Sequence, residues 1–163
     1  MKDFNSRKPN RLKNYDYSQN GMYFVTICTN EMKCILSTVE NVGEGLLTLP
    51  NLHLTKAGKI VKNSIEYANK HYNNICIEKY VIMPNHVHLL ISLEKKMGGS
   101  GDPPLQDIIR RIKSYSSKQY GSSIWQRSFY DHIIRNENDY LLHIQYIDEN
   151  PKKWIIGKDE YYA

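Results

Sequence analysis

This chain has little with which to tie itself together covalently. Its three cysteines, Cys28, Cys34 and Cys76, are odd in number and show no C-x-x-C spacing, which argues against a disulfide framework and against a cysteine-rich zinc site. Long apolar runs are absent too: none approaches the roughly 20 residues that span a bilayer. Met1 to Asn14 is polar and basic, unlike a signal peptide. A soluble protein of a reducing cytoplasm, without a membrane partner, is therefore expected. No internal repeat is visible, and 163 residues suit a single domain, 1–163, with 1–20 as a basic N-terminal arm holding Arg7, Lys8, Arg11 and Lys13. Acidic residues are the minority, 17 against 22 lysines and arginines, and the resulting charge of +5 suits a polyanionic partner, nucleic acid first. Thirteen tyrosines interleaved with basic residues fit a surface that stacks bases and follows phosphates, although many must serve as ordinary core.

Periodicity then divides the chain. Met22 to Thr29 is β-branched and aromatic and reads as a buried strand. Cys34 to Leu36 and Leu46 to Leu49 read as a short hairpin around Gly43 and Gly45. From Thr55 the spacing becomes helical, with Ala57, Ile60, Val61, Ile65 and Ala68 on one stripe that ends before His71. Ile75 to Met83 is a strand that Pro84-Asn85 turns back into a second, antiparallel strand beginning at His86. Lys95 to Pro104, with three glycines and two prolines, is a connector. Leu105, Ile108, Ile109 and Ile112 stripe a helix over 105–120 whose other faces carry Arg110, Arg111, Lys113 and Lys118. Trp125 to Ile134 reads as a last strand and bend, and Asn136 caps a final helix expected to stop at Asn150, before Pro151. This order predicts an α+β fold, ferredoxin-like (RRM-like), with helices packed on a mostly antiparallel sheet.

Two stretches carry candidate chemistry. In His86-Val87-His88 the histidines emerge on one face of a strand, as two rigid metal ligands would, while Val87, Leu89 and Ile91 face the other way. In the last helix Tyr140, Ile144 and Ile147 form the packing stripe, which leaves Asp139, His143, Tyr146 and Asn150 on an adjacent polar face. Tyr146 and Asn150, one turn apart, can address one small volume if the helix crosses near the histidines. By themselves they also fit a packing aromatic and a helix terminus.

The residues Asn85-His86-Val87-His88-Leu89-Leu90, Trp125-Gln126-Arg127-Ser128-Phe129-Tyr130-Asp131 and Tyr146-Ile147-x-x-Asn150-Pro151, in that order, resemble the REP-associated tyrosine transposases. These belong with the single-tyrosine insertion-sequence transposases and the HUH single-strand endonucleases. The resemblance implies the HUH endonuclease fold, with His86 and His88 as the metal pair, Asn150 as third ligand and Tyr146 as nucleophile. An asparagine at 150, where insertion-sequence relatives carry glutamine, points to the REP-associated branch. It further implies binding of hairpins in single-stranded DNA and cleavage beside them, leaving a 5′-phosphotyrosine and a free 3′-hydroxyl, by a monomer or homodimer.

A neutral ligand set of two imidazoles and an amide stays positive once loaded, and Mg2+ or Mn2+ is expected there, manganese more tightly. His143 is a candidate for a minor role in taking the phenol proton. Arg11, Lys13, Arg110, Lys113 and Arg127 are the expected DNA contacts, because positive charge is densest around them. Two rivals predict otherwise. A non-catalytic RRM-like nucleic-acid binder has no use for Tyr146 with Asn150, and a hydrolase that activates water at the histidines would cleave without the tyrosine.

Overall fold

The computed structural model describes residues 15–41, 50–94 and 103–157. Arg11 and Lys13, Gly43 and Gly45, and the expected hairpin segment 46–49 lie outside the described residues. Four strands form the main sheet: β1 (Gly21–Cys28), β4 (Ile75–Ile82), β5 (His86–Leu93) and β6 (Tyr130–Ile134), in the order β4-β5-β1-β6. All three pairings are antiparallel. With α1 (Lys56–His71) and α2 (Leu105–Tyr120) as the crossovers, this is the ferredoxin-like arrangement. A two-stranded hairpin of β2 (Ser37–Asn41) and β3 (Pro50–Leu54) is inserted before α1, and a third helix, α3 (Glu137–Ile155), is added at the end.

The alternation of β1 and β5 builds two unequal cores. Tyr23, Val25, Ile27, Val87, Leu89 and Ile91 pack with Val61, Ile65, Ile108, Ile109 and Ile112 of α1 and α2. Each side chain so buried contributes on the order of 1.5–3 kcal/mol, so this face dominates stability. On the opposite face Phe24 and Leu90 meet Ile147, with Tyr140, Ile144 and Tyr146 around them. This smaller cluster seats α3. A bulge between Ile77 and Lys79 in β4 turns Glu78 and Lys79 both toward α3, where Glu78 accepts from the Tyr140 hydroxyl (3.1 Å) and Lys79 pairs with Asp148 (2.7 Å).

Three expectations need correction. The hairpin exists, but its first strand begins at Ser37, beyond Cys34–Leu36, and its second at Pro50. Both strands are half exposed and carry few apolar residues, so an apolar-run reading misplaces them. The last strand is confined to Tyr130–Ile134; Trp125 makes only an isolated bridge to Thr29. The last helix does not stop at Asn150: Pro151 lies inside it and the helix continues to Ile155. Proline has a helical φ and forfeits one backbone hydrogen bond. Tertiary contacts on both sides offset that loss, since Asn150 is buried against His86 and the Trp154 ring lies 6.1 Å from the same imidazole. No helix among the described residues is long and apolar enough to cross a membrane.

Candidate active site

In an antiparallel pair, residues directly opposite share a face. The register Cys28↔His86, Thr26↔His88 and Phe24↔Leu90 therefore lays the two histidines beside Thr26 and Phe24, on the side that α3 covers. Along the strand His86 and His88 are separated by roughly 6.6 Å of rise, and four residues of helix rise roughly 6 Å. Helix and strand run in opposite directions here, so Asn150 meets His86 while Tyr146 meets His88. The two stretches come together within one chain.

Both imidazoles are fully buried and held from behind. Nδ1–H of His86 donates to Asn85 Oδ1 at 2.7 Å, and Nδ1 of His88 bonds the Thr26 hydroxyl at 2.8 Å. With both Nδ1 atoms engaged, Nε2 is the nitrogen through which each ring could hold a metal ion. Burial pushes His86 down to about 4, against the opposing pull of the Asn150 amide oxygen. Burial also holds His88 well below its ordinary value, helped by the nearby His86 and His143. Both rings are thus neutral, hence ligand-competent, at neutral pH.

Asn150 shows what these nitrogens fit. It is completely buried, and its Oδ1 lies 3.3 Å from Nε2 of His86. With the His86 proton on Nδ1, the Nε2 lone pair faces the Asn150 amide oxygen, an arrangement that a cation between them would stabilise. The Asn150 amide nitrogen has no hydrogen-bond partner among the described residues. A divalent ion suits this donor set.

Tyr146 is half-buried. Its ring stands edge-on to His88 (5.2 Å, 70°) and to Phe24 (5.8 Å, 84°), and the Lys153 ammonium lies 4.8 Å from its centroid. A concavity of about 360 Å³ opens beside it, lined by Phe24, His143, Tyr146, Glu149 and Lys153 among others. His143 is turned to Asp139: its Nδ1 lies 2.8 Å from the Asp139 carbonyl oxygen and 3.2 Å from the carboxylate.

Arg110, Lys113 and Arg127 line a second concavity, of about 440 Å³, with Trp125 and Phe129. Within it Arg110 pairs with Asp107 at 3.0 Å. Lys113 donates to the carbonyl oxygens of Gln126, Arg127 and Ser128 at 2.7, 3.0 and 3.3 Å, so its ammonium shapes the loop that presents Arg127. Thr26, Phe24, Asn85 and Lys153 were not identified by sequence reasoning as parts of the site. Asn85 stands inside the first motif without a role assigned to it and Lys153 lies two residues beyond the last, but Thr26 and Phe24 become visible only through strand register.

The family described as transposase, IS200-like, matches residues 53–150. A Haemophilus influenzae protein described as uncharacterized is 32% identical over 169 residues, 91% of this chain and 89% of that protein. The REP-associated tyrosine transposase of Escherichia coli K12 is 35% identical over 82 residues, 48% of this chain and 47% of that one. Among solved structures, a REP-associated tyrosine transposase bound to a REP hairpin aligns with a TM-score of 0.64 at 25% identity, over 88% of this chain and 73% of that one. With most of the chain covered by the family match and the sheet, helices and buried histidine pair in the arrangement described above, this chain belongs to the IS200-like transposases and is an enzyme of the tyrosine transposase kind.

Proposed function

We propose that this transposase binds hairpins in single-stranded DNA and cuts beside them through a 5′-phosphotyrosine, with residues 1–163 acting as one catalytic domain. The observation that carries the reading is the meeting of Tyr146 and Asn150 with His88 and His86. His86, His88 and Asn150 hold Mg2+ or Mn2+, with manganese bound more tightly because two of the three ligands are imidazoles. When bound, the ion neutralises charge on the nonbridging phosphate oxygens and leaves the site net positive.

The remaining work falls to the chain's own side chains. Phe24 and His88 hold the Tyr146 ring edge-on, which restricts the phenol to one approach line. Lys153 adds a positive charge beside that ring. The phenol gives its proton to water, Tyr146 Oη bonds to phosphorus, the P–O3′ bond breaks, and the departing 3′-oxygen takes up a proton from water. Attack by a 3′-hydroxyl on the phosphotyrosine reverses these steps and rejoins strands, so no nucleotide cofactor is needed. Arg110 and Arg127, with Arg11 and Lys13 of the arm, follow the hairpin backbone, and Lys113 supports that contact through the loop it holds. Nucleophile and ligands meet within one chain, which favours a monomer over a homodimer as the unit that cleaves.

Denaturing electrophoresis of labelled hairpin DNA with single-stranded flanks, mixed with protein and Mn2+, tests this. Wild type is expected to leave a protein–DNA adduct that Tyr146→Phe and His88→Ala lose, with hairpin binding retained in Tyr146→Phe. Undiminished cleavage by Tyr146→Phe would instead identify a hydrolase that activates water. Binding without any adduct would identify a non-catalytic binder.

A further inference from the structure

A second group of ligating side chains lies at the other end of α3. His132 sits on edge strand β6 opposite Phe24, on the face that α3 covers. Asp139 and His143 are one turn apart at the start of α3 and converge on it. Nε2 of His132 lies 2.9 and 3.0 Å from the two carboxylate oxygens of Asp139, and Nδ1 of His143 lies 3.2 Å from one of them. The His132 and His143 rings stack at 4.7 Å and 19°. Ligand atoms of all three residues lie within 4.8 Å of one another, and no other group of three His, Cys, Asp or Glu is so placed among the described residues.

We infer that His132, Asp139 and His143 form a second divalent-metal site, which takes a transition ion of the zinc, cobalt or nickel kind and clasps β6 to the first two turns of α3. Ligands held about 2.1 Å from a tetrahedral ion stand roughly 3.4 Å apart; the histidine–carboxylate separations of 2.9 and 3.2 Å are close to that, and the two histidine nitrogens lie within 4.8 Å of each other. Two imidazoles and a carboxylate are a donor set that borderline ions favour over magnesium, and the remaining positions face water. The carboxylate is positioned in advance: the Arg135 amide donates to it at 3.1 Å, while Asn136 caps the Asp139 amide at 2.9 Å. Binding exchanges two bonds, since Nε2–H of His132 donates to the Asp139 carboxylate at 2.9 Å and Nδ1–H of His143 donates to the Asp139 carbonyl oxygen at 2.8 Å, and each nitrogen must give up its proton to ligate.

The clasp reaches the tyrosine through one ring. His143 packs 4.6 Å from Phe24, and Phe24 supports Tyr146. A loaded site therefore holds both the start of α3 and the ring beneath the nucleophile, and it does so whether or not His86, His88 and Asn150 bind a metal.

The test is cobalt and zinc titration of the full chain, followed by calorimetry, the visible absorption of Co2+ and the melting temperature. A His86→Ala/His88→Ala chain is expected to retain one equivalent of Co2+, with visible bands and a higher melting temperature on loading. In an otherwise wild-type chain, His132→Gln and Asp139→Asn are each expected to remove one equivalent, with affinity at this site falling more than roughly 100-fold. His132 is half exposed, so His132→Gln should fold. Should His132→Gln bind as many ions as wild type, with the same spectrum, the inference is overturned. It is equally overturned if Co2+ raises the melting temperature of Asp139→Asn as much as that of wild type.

Discussion

Stability of the metal-free protein should fall steeply between mildly acidic pH and pH 4, and one residue should account for much of the fall. His86 is buried neutral, with its affinity for a proton pushed from 6.5 down to about 4. The unfolded chain takes up this proton near pH 6.5 and the folded chain does not. His86 therefore contributes nothing pH-dependent above 6.5; below it the unfolded state is favoured progressively, until the folded protein titrates as well. Two and a half pH units correspond to about 3 kcal/mol, a large part of a typical folding free energy of roughly 5–15 kcal/mol. His88 acts in the same direction. The assay is urea unfolding at a series of pH values for wild type and His86→Gln, since glutamine approximates the imidazole's size and cannot titrate. Subtracting one profile from the other removes the carboxylates common to both. Wild type should lose about 3 kcal/mol more than the variant from pH 7 to pH 4. Parallel profiles, or a His86 imidazole that titrates near 6.5 in the folded protein by NMR, would refute the reasoning. The same burial predicts a companion result: no proton need leave His86 at pH 7, so its contribution to metal affinity should stay flat down to about pH 5.

Three further outcomes rest on packing and on the basic loop. The Trp125 indole N–H donates to the Ser116 hydroxyl at 2.8 Å in the core, so Ser116→Ala should cost about 1–3 kcal/mol in chemical denaturation by stranding that donor. A Cβ on Gly58 would lie 2.0 Å from the Leu36 carbonyl oxygen; Gly58→Ala should therefore destabilise by about 2 kcal/mol or more, lowering the melting temperature, because backbone must move. Lys113→Met keeps the aliphatic stem but removes the ammonium from the carbonyls of residues 126–128. It should weaken hairpin binding about tenfold, or ~1.4 kcal/mol, in fluorescence anisotropy and expose the loop to proteolysis, whereas Arg110→Ala should leave the loop protected.

The sequence alone determined those parts that depend on local period and local chemistry. Helix α2 is legible from Leu105 to Tyr120 because Leu105, Ile108, Ile109 and Ile112 form a stripe that only a helix can bury. The pairing of β4 with β5 is legible because Pro84-Asn85 can only turn the chain, and the common face of His86 and His88 follows from strand alternation. Tyr146 and Asn150 lie one turn apart on any helix. Contacts between distant segments set the rest. The hairpin strands at 37–41 and 50–54 escape notice because a half-exposed strand shows no apolar run. Pro151 is disfavoured within a helix on local grounds, and the contacts of Asn150 and Trp154 with His86 hold it there. Thr26 behind His88, Phe24 beneath Tyr146, and His132 against Asp139 follow from strand register and from where α3 comes to rest. A one-residue slip of β1 against β5 would reverse every one of those neighbours, and no property of the residues taken singly records which register wins.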